Sequence, residues 1–260
     1  MFILYFIFIA FSGTLPSENN LERVWSEGRC PYEGTSVEMP FEKKTESFTA
    51  DNRLKIEVTS SYLVFQGKNL FFEAVNDQLH NNAREVFARW VVQFTEEEKE
   101  IYELDEEAIS MDFDKREVAY ILTPTYASDK LVSIFGELHK YAGMPHGSTR
   151  YYASNYWFNG KEIQEVSLSS LFLPDKNFAD FILNYCESTL QKEKVGYGDE
   201  LFPEFEESNL QVFSITKKGL IFTFQPYHIG GWADGPYSIT IPFDKLTPFI
   251  NLQGPLREFL

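Results

Sequence analysis

The hydrophobic positions of the chain fall into two periods. From Leu54 to Phe65 they alternate loosely, at Leu54, Ile56, Val58, Tyr62 and Val64, the pattern of one or two strands. From Asn69 to Glu100 the spacing changes to three and four: Val75, Leu79, Ala83, Val86, Phe87, Trp90, Val91 and Phe94 form one stripe and predict a long amphipathic helix. Glu96, Glu97, Glu98 and Glu100 crowd its C-terminal end, where they oppose the macrodipole, so fraying is expected there and the acidic run through Glu107 reads as solvated. His80, beside the stripe, reads as a packed or surface histidine.

The strand period then returns. Val118 to Thr123 and Leu131 to Tyr141 are separated by Pro124, Tyr126, Ser128 and Asp129, a hairpin connection. Ser148 to Phe158 resumes as a strand, and Asn159-Gly160 is a two-residue hairpin signal returning through Lys161 to Val166. Phe178, Phe181, Ile182, Tyr185 and Leu190 mark a second amphipathic helix. Leu210 to Ile215 folds back on Leu220 to Phe224 around Gly219, Tyr237 to Ile241 is a last strand, and Pro242 opens a short helix. The pattern is α+β, with antiparallel sheets covered by two amphipathic helices, in two halves each of a helix and strands. Ser17 to Thr49 is polar and punctuated by Gly28, Pro31, Gly34 and Pro40, so residues 14–53 read as an irregular arm; the halves are 54–141 and 142–260.

Composition narrows the setting. Residues 1–13 open on the apolar run Met1 to Phe11, too short to span a bilayer and suited to a secretory signal peptide; left uncleaved it would be an anchor and the only membrane contact. Export to the periplasm or the extracellular space is expected. In that compartment Cys30 and Cys186, the two cysteines, are a possible disulfide. A net charge of -16 argues against nucleic acid and is compatible with a cationic protein partner.

Two loops concentrate unusual residues: Tyr141, Gly143, His146 and Gly147 in the first, and Tyr227, His228, Gly231, Trp232, Asp234 and Gly235 in the second. Large amphipathic rings beside glycines suit a ligand surface, and these ten are the candidate binding residues. An enzyme would gather His146, His228 and Asp234 as a metal or acid/base cluster, but neither His-x-x-x-His nor His-x-Asp occurs, no carboxylate pair is singled out, and no Gly-x-Ser-x-Gly is present. No catalytic residue, metal or cofactor is expected. His146, between Pro145 and Gly147, reads as a turn residue bonded to its own loop.

Tyr141 to Gly147, Asn159-Gly160 with Lys161, Ile163 and Leu171-Phe172, and the block Gly219 to Pro242 together resemble the extracytoplasmic domain of unknown function family 3298. Residues 54–141 are similar to the module of family 4163 that precedes it, found at the N-terminus of peptidoglycan deacetylases. This chain has His228 where the family pattern has an acidic residue, and Met144-Pro145 beside Gly143. The resemblance implies an envelope binding or sensing module, because such a pair forms the ectodomain of a lysozyme-binding anti-sigma factor. A cationic lysozyme-like hydrolase is then the expected partner, with peptidoglycan as the alternative, in which Trp157, Tyr227 and Trp232 would stack on sugar rings. With the chain ending at Leu260, no appended deacetylase is expected, nor a sigma-binding segment ahead of the apolar run.

Overall fold

A computed structural model describes residues 37–50, 54–103, 115–143, 146–192, 206–229 and 236–260. The apolar N-terminus, Cys30 and the loop residues Gly231, Trp232, Asp234 and Gly235 lie outside the described residues. Within them no helix is long and apolar enough to cross a membrane.

Two sheets carry the fold, and it is α+β. The larger has six strands in sequential order: β1 (Phe41–Ala50), β2 (Ile56–Phe65), β3 (Arg116–Ala127), β4 (Leu131–Ala142), β5 (Ser148–Phe158) and β6 (Ile163–Glu165). β1 occupies part of the stretch read as an irregular arm. Its residues are mostly exposed, the mark of an edge strand whose outer side faces water, and this hides the period from a hydrophobicity reading. Every pairing in this sheet is antiparallel except β2 with β3, which run parallel.

That exception follows from α1 (Leu70–Glu103), which lies between the two strands in sequence and is the crossover that a parallel pair requires. Asn69 caps it, its Oδ1 accepting the Phe72 N–H at 2.9 Å. Of the stripe, Val75, Leu79, Ala83 and Phe94 are buried under the helix, joined by Phe72 from its first turn, while Val86, Phe87, Trp90 and Val91 are half-buried. The fraying expected at Glu96 to Glu100 does not occur. Glu98 is buried and accepts the Leu54 N–H at 3.2 Å, and Glu97 lies 3.8 Å from Arg116, so two of those carboxylates tie the last turns to the sheet.

The smaller sheet, β7 (Phe213–Ile215), β8 (Gly219–Phe224) and β9 (Tyr237–Pro242), packs with α2 (Phe178–Lys192) and α3 (Phe243–Leu246) around Ile182, Leu190, Phe222, Ile241 and Leu246. Leu210 and Gln211, read as the start of β7, belong instead to a 3₁₀ turn, Glu207–Gln211. Asn159-Gly160 does turn a hairpin, but over four residues, because Asn159 Oδ1 accepts the N–H groups of both Lys161 and Glu162 at 2.9 and 3.0 Å. Cys186 is a buried thiol in the α2 core, pushed up to about 12 by its burial. Trp157 is half-buried and packs against that same core.

The outer edge of β7 lies against the larger sheet and is stitched to it by polar side chains. A bulge between Pro124 and Tyr126 turns Thr125 out of the β3 ladder. Its buried hydroxyl donates to the Ile215 carbonyl at 2.9 Å, while Ser133 Oγ accepts the Ile215 N–H and Asn155 donates to the Phe213 carbonyl, at 2.8 and 3.0 Å. The division expected at residue 141 falls at the end of β4, in the middle of a continuous sheet. The core around α2 also takes in Leu131 of β4 and Val166, with Tyr126 and Trp157 packed against it.

Candidate functional site

β4 and β5 place Leu138 opposite Arg150, and Gly136 opposite Tyr152, with Tyr120 and Leu122 continuing those rows on β3. Opposed residues share a sheet face, so Tyr120, Leu138, Arg150 and Tyr152 form a floor, and Val86, Arg89 and Trp90 of α1 are the wall beside it. Between wall and floor lies a groove of about 800 Å³.

The groove is aromatic and locally cationic. Trp90, Tyr120, Tyr152 and Tyr227 line it with Lys140 and Arg150, and Lys140 Nζ stands 4.5 Å from the centre of the Trp90 ring. Arg89 also lines it but is held by Glu85 at 2.7 Å; Glu165 is the other acidic group. Tyr120 is pushed up to about 12, first by burial and then by the neighbouring Tyr156 and Tyr152 phenols, so it is a neutral donor at physiological pH.

His146, Tyr227 and His228, taken from two loops eighty residues apart, line this one groove. The second loop is fixed to β5 by Gln225, whose Oε1 accepts the Tyr151 N–H at 2.9 Å and whose Nε2 donates to the Tyr151 carbonyl at 2.6 Å. Tyr227 follows with a positive φ of 68°, a strained setting for an aromatic residue, and its side chain is 63% exposed. His228 Nδ1 accepts from the Asn209 amide at 3.2 Å, and His146 Nδ1 donates to the Gly147 carbonyl at 2.9 Å, the local turn bond that its setting suggested.

The other residues of the first loop have structural work. Tyr141 alternates onto the opposite sheet face from Lys140 and does not line the groove. Gly143 has φ 71°, and a Cβ there would collide with the Arg116 guanidinium. At Gly147 a Cβ would come within 2.6 Å of the His139 ring. Both glycines are therefore explained by packing. Sequence reasoning missed Trp90, Tyr120, Lys140, Arg150 and Tyr152. The signal was the alternation of Arg150, Tyr152 and Ser154 along β5, polar on a face that a helix-covered sheet would bury.

No metal-holding group of three His, Cys, Asp or Glu side chains occurs among the described residues. The family described as "Protein of unknown function (DUF3298)" matches residues 169–244, beginning just past β6. Likeness of fold extends over both sheets. The crystal structure of a DUF3298 family protein from Pseudomonas aeruginosa PAO1 superposes with a TM-score of 0.52 at 13% identity, covering 85% of this chain and 98% of that one. A member of the family from Bacteroides fragilis NCTC 9343 gives 0.60 at 18% identity, covering 82% and 94%. No curated protein matches the chain.

Proposed function

We propose that this chain is a non-catalytic, exported envelope-binding module whose groove takes peptidoglycan. The observation that carries the reading is the convergence of His146, Tyr227 and His228 on a groove lined by aromatic rings and cations, in a protein of net charge -16. Peptidoglycan offers sugar faces for Tyr152 and Tyr227 and stem carboxylates for Lys140 and Arg150. The apolar run in residues 1–13, the DUF3298 match over 169–244 and the resemblance of 54–141 to family 4163 support an envelope setting.

A cationic lysozyme-like hydrolase is the second reading, favoured by the overall charge of -16 and by resemblance to the lysozyme-binding ectodomain. Lys140 and Arg150 oppose a cationic segment in the groove itself, so such a partner would dock on the acidic surfaces instead.

Calorimetric titration separates the two. Disaccharide–pentapeptide fragments should bind, with Tyr227→Ala and Arg150→Glu each weakening binding at least fivefold. A cationic lysozyme that binds and loses lytic activity, with no heat from the fragments, would overturn the peptidoglycan reading.

A further inference from the structure

β5 has an outer edge that its neighbours only partly use. β6 pairs with it at Tyr156 to Phe158, and the Val166 N–H reaches the Asn155 carbonyl at 2.7 Å. Nearer its start, from Ser148 to Ser154, no strand pairs with that edge among the described residues. Gln225 bonds both the N–H and the C=O of Tyr151, so Tyr151 points its main chain outward, and by the period of two so do Thr149 and Ala153.

We infer that this edge of β5 receives an extended L-polypeptide segment of a protein partner, which adds as a strand and replaces the Gln225 side chain. The inference goes beyond the peptidoglycan reading and does not depend on it. Gln225 itself shows what the edge accepts: a single amide that donates to one carbonyl and accepts from one N–H, as an adjacent antiparallel strand does. Asn76 does the same for Phe65 at 2.8 and 3.0 Å, but beneath α1, where nothing could enter. At β5 there is room on both sides. The groove and a second cavity of about 660 Å³ both touch Ala153 and Glu165, so they adjoin across the edge. Exchanging one amide for another costs little, since each bond lost is remade.

Charge fixes the direction. Lys140 and Arg150 stand at the start of β5, while Glu165, opposite Tyr156, and Glu207 in the second cavity stand toward its end. The unpaired edge from Ser148 to Ser154 spans six residue steps, about 20 Å along a strand, and stops just short of the Asn155 carbonyl that Val166 holds. A hexapeptide stretch with a basic residue first and an acidic residue last fits both ends when it runs antiparallel to β5.

The test uses the full chain and a synthetic peptide, Lys-Val-Thr-Val-Thr-Glu, followed by NMR. Shifts at Ala153 and Thr149 and release of the Gln225 side-chain amide are expected. Methylating alternate peptide nitrogens, which changes the probe and leaves the protein intact, should weaken binding at least tenfold, and reversing the peptide charges should weaken it severalfold. Gln225→Ala should tighten binding by removing the internal competitor. Equal binding of the N-methylated peptide, shifts confined to other surfaces, or no shift at millimolar peptide would each overturn the inference.

Discussion

Two residues carry costs that their surroundings expose. Tyr227 holds φ 68° at the rim of the groove while its ring stays in water, so the backbone strain is not offset by burial. Tyr227→Gly removes the strain and the ring together. The expected result is a fold as stable or more stable, by up to about 1 kcal/mol in denaturant titration, with weaker binding of the groove ligand. Glu137, on the sheet face away from the groove, is buried and raised from 4.5 to about 7, chiefly by desolvation, with Lys43 opposing. The folded protein thus keeps a proton that the unfolded chain has shed. Glu137 favours folding below the unfolded value and loses that contribution as pH rises through about 7. Glu137→Gln should therefore stabilise by on the order of 2–3 kcal/mol at pH 8 and by nearly nothing at pH 4.5, read from denaturation midpoints at the two pH values.

Among the elements, α1 was legible because 34 residues repeat one period, and chance cannot sustain a stripe for that long. β1 was hidden because an exposed edge strand has no buried face to give it a pattern. β7 is shorter than its hydrophobic run for another reason: three residues suffice once the main chain is bonded from outside the sheet. Ser133 supplies that bond to Ile215 at 2.8 Å, inside the interface between the sheets. Ser133→Ala leaves the Ile215 N–H buried without its acceptor and should cost about 1–3 kcal/mol. Hydrogen exchange would show the loss directly, with Ile215 losing protection more than Phe222, the β8 residue opposite Phe213 in the same sheet. Uniform loss across β7 and β8 would mean that the bond merely contributes to global stability.

At the scale of the molecule, the candidate site was half legible. The loops announced His146, Tyr227 and His228 by composition, whereas Trp90, Lys140, Arg150 and Tyr152 belong to elements whose outward faces become a groove only when α1 crosses the sheet. The same assembly sets a local field against a global one. Lys140 and Arg150 would meet a groove ligand within a few ångströms, while the charge of -16 is spread over the whole surface. Salt separates the two ranges, because the Debye length falls from about 30 Å at 0.01 M to about 8 Å at 0.15 M. An anionic fragment approaching the groove is repelled at long range and attracted only at the end, so its association rate should rise severalfold over that salt interval. Dissociation, governed by contacts inside the groove, should change less. A cationic hydrolase is steered inward by the same field and should associate more slowly as salt is added. Stopped-flow mixing followed by tryptophan fluorescence measures both. A rate that falls with salt for the anionic fragment would show that the groove cations dominate even at a distance and that the overall charge of -16 does not govern encounter.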